Sequence, residues 1–281
     1  MGVIEPKRTS ALPQPSSSNS LGDNSTSFAH FWSRLNGYQQ RWAAHLLFRK
    51  PLVINTKRPL VSFTFDDFPR SALFVGGEIL NRLGLAGTYY ASFGLMGRDA
   101  PTGKIFLAGD VKKLLDQNHE LGCHTFAHCH SWETGSSEFE ASVVENGAAL
   151  SRLVPGSKFE SLSYPISPPK PLTKVKVARH FQCCRGGGQT INAGAADLNH
   201  LSAYFLERAP NIETVKELID RNRRDCGWLI FATHDIADDH TPYGCKPEFF
   251  EDVVRYAVQS GARILPVVKA LDVLRAPELQ L

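Results

Sequence analysis

The sequence of 281 residues contains no long hydrophobic run, and no apolar stretch approaches the roughly 18 residues that a membrane-spanning helix needs. It also lacks basic runs with interleaved aromatic residues, and its net charge of +3 is too small to predict binding to nucleic acid. No apolar signal-peptide core lies near the N-terminus. We therefore expect a cytoplasmic protein without a transmembrane span that does not bind nucleic acid.

Cysteine pairs of the zinc-knuckle type are absent too, because none of the six cysteines belongs to a C-x-x-C pair. In a long chain without an export signal, we expect reduced thiols rather than disulfides. Cys123 and Cys129 flank two histidines, so metal ligation by these thiols stays open as the less favoured alternative. Small buried cysteines are common in protein cores.

The composition divides the chain into three segments. Residues 1–27 are rich in Ser and Pro and are predicted to form a disordered tail. Residues 28–54 are predicted to form an amphipathic helix and a linker, because apolar residues recur at near-helical spacing between Phe28 and Lys50. This helix either packs on the main domain or contacts a membrane surface or a second copy of the chain. Residues 55–281 are predicted to form the main domain.

In the main domain, short apolar runs alternate with helical patterns. The predicted strands are 60–66, 87–92, 119–124, 159–164, 181–184, 201–206, 228–233 and 262–266. The predicted helices are 71–83, 109–118, 137–152, 171–179, 211–224, 246–260 and 267–274. Such alternation predicts an α/β fold with a parallel sheet, either open or closed into a barrel.

Polar motifs follow four of the predicted strands, at the carboxyl end of each. They are Asp66-Asp67 after the first strand, His124 after the third, Tyr164-Pro165 after the fourth and Thr233-His234 after the seventh. Parallel α/β folds and barrels place their functional sites at this edge. Four separate motifs on one edge therefore predict a site there.

Two adjacent carboxylates and two imidazoles could supply a base and three ligands for a zinc-like ion. In a helical turn, His124 and His128 would share one face and could hold one ion. Three protein ligands leave a position open for water, as in catalytic metal sites. Alternatively, the two aspartates cap the helix that begins near Ser71, and an isolated H-x-x-x-H pair is often incidental.

Five motifs in order resemble those of the NodB-type polysaccharide deacetylases. They are T-F-D-D at 64–67, G-T-Y-Y at 87–90, H-E-L-G-C-H-T-F-A-H at 119–128, S-Y-P at 163–165 and I-F-A-T-H at 230–234. The resemblance covers roughly residues 58–275. It implies a distorted (β/α) barrel of about seven parallel strands, an N-acetylated carbohydrate substrate and one divalent metal ion. Zinc is the expected metal, with cobalt or another transition metal as alternatives.

The resemblance also implies a role for each motif residue. It implies three metal ligands, Asp67, His124 and His128. Asp66 would be the general base, and His234 the general acid that protonates the leaving amine. The backbone N–H of Ile166, which follows Tyr164-Pro165, would stabilise the oxyanion together with the metal.

Three departures from the family pattern concern the substrate side of the site. The family's Arg before the motif-three proline, which contacts the base, is Ser163 here, and we expect Arg208, or else Arg185, to replace it. Where the family usually has an aromatic residue after that proline, this chain has Ile166. The family's Asp-Trp pair is missing, so we expect Asp197 or Glu207 to orient His234 instead. The acidic segment 234–240 is predicted to be a solvated loop. A second metal site in this segment is the less favoured alternative.

The motifs together predict a metal-dependent hydrolase that removes N-acetyl groups from an N-acetylated sugar or polysaccharide. Three alternatives stay open: an O-acetyl esterase, a hydrolase of small amides or imides, and a glycan-binding protein without catalysis. The oligomeric state does not follow from the sequence.

Overall fold

A computed structural model describes residues 39–40, 42–166 and 168–276, and from Gln40 onward the chain forms one compact unit. The predicted disordered tail, 1–27, lies outside the described residues, as does most of the predicted helix over 28–50. Residues 42–46 at its end are helical. In the described part of the chain, no helix has the length and apolarity that crossing a membrane requires.

The predicted strands and helices are present within a few residues of their expected positions. The strands are β1 Pro51–Ile54, β2 Leu60–Phe65, β3 Thr88–Ala91, β4 Asp99–Ala100, β5 Gly103–Lys104, β6 Glu120–Cys123, β7 Ser161–Ser163, β8 Cys183–Arg185, β9 Gly194–Asp197, β10 Tyr204–Phe205, β11 Trp228–Thr233 and β12 Arg263–Ile264. A π-helix, Ala72–Gly77, continues into α1, Glu78–Arg82. The other α-helices are α2 Ala108–Asp116, α3 Ser136–Leu153, α4 Pro171–Val177, α5 Ile212–Arg224, α6 Pro247–Gln259 and α7 Val267–Arg275.

Seven parallel strands form a curled sheet in the order β10-β11-β2-β3-β6-β7-β8, and β12 pairs with the start of β2. A parallel bridge between Arg185 and Leu201 connects the last strand of this order with the segment before β10. This is the predicted distorted barrel. Two antiparallel pairs, β1–β9 and β4–β5, lie outside it and were not predicted.

The central strands β2 and β11 have all of their residues buried. Covering on both faces is usual for parallel strands, which therefore read as continuous apolar runs. Alternate residues enter two separate hydrophobic clusters: Phe63 and Phe231 belong to one, Trp228 and Ile230 to the other. This packing fixes both strands, so the polar residues at their carboxyl ends have defined positions.

A buried lysine helps to hold residues 44–47 against the main domain. The Nζ atom of Lys174 on α4 donates to the carbonyl oxygens of Ala44 (2.6 Å) and Leu47 (2.8 Å) and to Oδ2 of Asp197 (2.5 Å). The lysine thus satisfies carbonyls at the end of a helix, where backbone acceptors lack partners. This end of the predicted amphipathic helix packs on the domain, although Trp42 remains 57% exposed.

Candidate active site

The two aspartates lie where β2 ends and the chain turns sharply. The amide of Asp66 donates to the carbonyl of Thr233 (2.9 Å), which continues the pairing with β11. The next two residues, Asp67 and Phe68, have φ values of 61° and 53°. Neighbouring side chains on a strand point to opposite faces, and this left-handed turn ends that alternation. The stacking of Phe68 on Phe106, with ring centroids 4.8 Å apart, anchors the turn in the core.

His124 and His128 lie on an irregular loop, so the expected helical turn is wrong. Thr125 and His128 have φ values of 58° and 52°, which no α-helix contains. The loop is held by side chains of its neighbours. Ser92 donates to the carbonyl of His124 (2.7 Å), and the Ser142 hydroxyl on α3 accepts from the amide of Phe126 (3.0 Å).

Asp67, His124 and His128 converge on one point, although they come from two separate loops. Oδ1 of Asp67 lies 3.1 Å from Nε2 of His128 and 3.5 Å from Nε2 of His124. One ligand atom from each residue lies within 4.8 Å of the others. Oδ1 of Asp67 is buried without a well-aligned hydrogen bond, as a carboxylate reserved for a cation would be. The three side chains fit a divalent metal.

The surroundings of His124 and Asp67 favour the protonation states that metal ligands need. Nδ1 of His124 donates to the carbonyl of Ser163 (2.8 Å), which leaves the Nε2 lone pair free, and Oγ1 of Thr102 donates to Oδ2 of Asp67 (2.9 Å). Burial lowers the pKa of His124 to about 4, so its imidazole is neutral at pH 7. Burial alone would raise the pKa of Asp67, but His128, His124 and His234 outweigh it and hold that pKa well below its usual range.

The cysteines and the acidic segment 234–240 do not contribute to such a group. Among the described residues, Asp67, His124 and His128 form the one group of three with metal-ligand geometry. All six cysteines are free thiols. The alternatives of cysteine ligation and of a second metal site therefore receive no support from the structure.

Arg185, not Arg208, is the partner of the expected base. A guanidinium Nη2 of Arg185 donates to Oδ1 of Asp66, and both residues are almost completely buried. The guanidinium carbon also lies 4.8 Å from the ring centroid of Tyr90. The preference for Arg208 is wrong, since its guanidinium lies on the ring of Phe205 instead (4.8 Å).

His234 is oriented by a loop carbonyl rather than by a carboxylate. Its Nδ1 donates to the carbonyl of Tyr243 (3.1 Å), so Nε2 is the nitrogen left for chemistry. Asp197 is bound to Lys174, and Oε2 of Glu207 is buried without a hydrogen-bond partner. Neither of the two expected carboxylates therefore holds His234 through a hydrogen bond. Sequence spacing carries no signal for a backbone carbonyl nine residues away.

The hydroxyl of Tyr164 is used within the fold, and Ile166 is the exposed residue of the Tyr164-Pro165-Ile166 segment. The ring of Tyr164 is buried, and its hydroxyl donates to the carbonyl of Asn199 (3.3 Å). Pro165 is buried as well. Ile166 is 65% exposed and has a φ of 66°, a strained conformation for a β-branched residue.

Backbone strain is concentrated in these loops. Of nine non-glycine residues with positive φ in the described chain, five belong to the site: Asp67, Phe68, Thr125, His128 and Ile166. Each such conformation costs about 1–3 kcal/mol and persists where the surrounding structure enforces it. Such clustering is typical of a functional site.

Comparison with known proteins agrees with the fold and the motifs. The family model described as polysaccharide deacetylase matches residues 54–181. Over these residues the chain is similar to the polysaccharide deacetylase family. The resemblance that the motifs indicated is thereby confirmed. No curated protein sequence matches the chain.

Solved polysaccharide deacetylase structures share the fold at low identity. A family 4 acetyl xylan esterase from Clostridium thermocellum in complex with cobalt is 18% identical, with a TM-score of 0.53 over 75% of this chain and 89% of that one. A peptidoglycan deacetylase from Bacillus subtilis is 11% identical, with a TM-score of 0.54 over 80% and 96%. A family 4 pseudoenzyme from Bacillus anthracis is 12% identical, with a TM-score of 0.52 over 76% and 66%. At such identities these comparisons show the fold, and they include proteins described as an esterase, a deacetylase and a pseudoenzyme.

Proposed function

We propose that this protein is a metal-dependent hydrolase that removes the N-acetyl group from an N-acetylated sugar or polysaccharide. The observation that carries the proposal is the convergence of Asp67, His124 and His128 beside the buried pair of Asp66 and Arg185. One carboxylate and two imidazoles are a usual ligand set of catalytic zinc. Zinc remains the expected ion, with cobalt as an alternative.

Each side chain has a task that its environment supports. When bound, a divalent cation would polarise the acyl oxygen and lower the pKa of a coordinated water. Asp66, held by Arg185, would accept a proton from the attacking water. Nε2 of His234 would donate a proton to the leaving amine, so that acetate and a free amine are formed. The backbone amide of Ile166 would donate a hydrogen bond to the oxyanion.

The Clostridium relative makes O-acetyl ester hydrolysis the second candidate, because that protein is an acetyl xylan esterase. Metal-stripped protein, with and without added Zn²⁺ or Co²⁺, should be assayed for acetate release from N-acetylglucosamine oligomers and from acetylated xylan. Metal-restored release from the oligomers supports the proposal. Release from xylan alone supports the esterase.

A His234→Ala variant separates the two reactions further. An amine is a poor leaving group and needs a proton, whereas an alcohol needs less acid assistance. We expect the amidase kcat to fall by about 100-fold and the basic limb of its pH profile to change. An unchanged profile would remove His234 as the acid. The cytoplasmic location remains a prediction.

A further inference from the structure

Arg208 lies at the carboxyl edge of the sheet, close to the proposed acid. It ends a 3-10 helix, Leu206–Arg208, that directly follows β10. Because β10 is parallel to β11, with Phe205 opposite Ala232, the chain leaves the sheet beside His234. Arg208 is therefore on the same rim as the catalytic residues.

One aromatic ring connects the guanidinium of Arg208 with the imidazole of His234. The Arg208 guanidinium carbon lies 4.8 Å from the Phe205 ring centroid. The same ring is nearly parallel to His234, with centroids 6.4 Å apart and an interplanar angle of 20°. Gly187 lets the ring pack closely, since a Cβ there would lie 3.2 Å from it. The ring therefore gives the exposed cation a defined place beside the acid.

The guanidinium of Arg208 has an aromatic neighbour but no carboxylate partner in the described part of the chain. Among the residues that the structure describes, none forms an ion pair with it, whereas Arg185 is bound to Asp66. The adjacent carboxyl, Glu207, neutralises it only in part, because burial raises the pKa of Glu207 to about 7. A positioned guanidinium without a carboxylate partner is suited to bind phosphate or carboxylate oxygens in pairs.

We propose that Arg208 binds an anionic group of the substrate, so that the enzyme prefers a phosphorylated or carboxylated N-acetyl sugar to a neutral one. The inference rests on the proposed function. It deepens that function by choosing a charged substrate over a neutral chitin-like chain. A guanidinium on this rim would contact the substrate away from the atoms that exchange protons, so it would act on substrate binding rather than on proton transfer.

The test compares matched sugars. N-acetylglucosamine is assayed beside its 1-phosphate, its 6-phosphate and its 3-O-lactyl derivative, with wild-type protein and with Arg208→Gln and Arg208→Lys. We expect wild type to show about tenfold higher kcat/KM, mainly through KM, for at least one charged sugar. Arg208→Gln should abolish this preference, and Arg208→Lys should keep part of it. Arg224→Gln, an exposed arginine that ends α5 just before β11 and so lies at the other end of the sheet, is the matched control and should keep it.

Separate outcomes identify which proposal fails. Turnover of neutral and charged sugars at equal kcat/KM would overturn the role of Arg208 and leave deacetylation intact. If no sugar is turned over, calorimetry decides with the same compounds. Tighter binding of a charged sugar to wild type than to Arg208→Gln would keep the anion site, and the assay with N-acetylglucosamine oligomers then decides whether deacetylation itself fails. Equal binding would overturn the anion site.

Discussion

The two edges of the sheet hold their largely buried acids in different ways. At the carboxyl edge, Asp66 is paired with Arg185, and Asp67 lies among imidazoles. At the amino edge, Glu120 at the start of β6 has only neutral partners, the hydroxyl of Ser161 (2.8 Å) and the amide of Val268 (2.7 Å). Burial raises the pKa of Glu120 to about 7. The comparison shows that the two adjacent aspartates of the carboxyl edge have a cation or imidazoles beside them, whereas Glu120 has only neutral hydrogen-bond partners.

Loss of the proposed base should have the largest effect. Asp66→Asn keeps the shape of the side chain but cannot accept a proton, so kcat should fall by about 10²–10⁴-fold while the metal remains bound. Steady-state kinetics with metal analysis of the purified variant checks both parts. Asp238→Asn, in an exposed loop, is the control and should retain activity. Loss of the metal from Asp66→Asn would mean that the roles of Asp66 and Asp67 are exchanged.

Removal of the Arg185 guanidinium, the cation beside Asp66, should have the second largest effect. Arg185→Leu leaves the carboxylate of Asp66 buried and unpaired, which should lower the free energy of unfolding by about 3–5 kcal/mol. Urea denaturation measures this loss. The double variant Asp66→Asn/Arg185→Leu has no such charge and should recover part of the stability. If the single and double variants lose the same free energy of unfolding, the ion pair of Asp66 and Arg185 is not the cause of the loss.

Ionisation of Glu120 should destabilise the folded protein, because this carboxylate has no cation beside it. Its folded pKa of about 7 lies above the usual value of 4.5, so the folded protein binds more protons between those pH values. Its stabilising contribution is present below about pH 4.5 and is lost as the pH rises to about 7. An open cavity of about 490 Å³ admits water at this edge, so we expect a loss of about 2 kcal/mol rather than the full value of the shift.

Urea denaturation between pH 4.5 and 8 compares wild type with Glu120→Gln. Glu120→Gln should remove this part of the pH dependence, whereas Glu217→Gln, an exposed acid on α5, should leave it unchanged. Parallel pH profiles for wild type and Glu120→Gln would contradict the assignment.

The smallest effect is expected for the hydroxyl that supports the metal ligand. Thr102→Val is nearly isosteric but loses the hydrogen bond to Oδ2 of Asp67. Metal affinity should fall by about tenfold, as is typical of outer partners of ligands. Competition with a chelator measures the affinity, and Thr102→Ser should retain it. Unchanged affinity in Thr102→Val would mean that Asp67 is held by its backbone alone.

Much of the barrel could be predicted because its parallel strands are continuous apolar runs between amphipathic helices. The pairs β1–β9 and β4–β5 were missed, since these antiparallel additions lie outside the alternation of strands and helices on which the prediction was based. Thr102 was missed with them, because it lies between β4 and β5. The choice between Arg185 and Arg208 depends on how the sheet curls, and both follow predicted strands. Left-handed turns at Thr125 and Ile166 could not be predicted, because such conformations are rare for β-branched residues.

The central claim is that one metal ion, held by Asp67, His124 and His128, acts together with Asp66. Titration of metal-free protein with Co²⁺, followed by its visible absorption and by acetate release from N-acetylglucosamine oligomers, tests it most directly. We predict one ion per chain in wild type and in Asp66→Asn, acetate release from wild type only, and no binding to Asp67→Ala. Binding to Asp67→Ala with wild-type affinity, or wild-type turnover by Asp66→Asn, would contradict the claim.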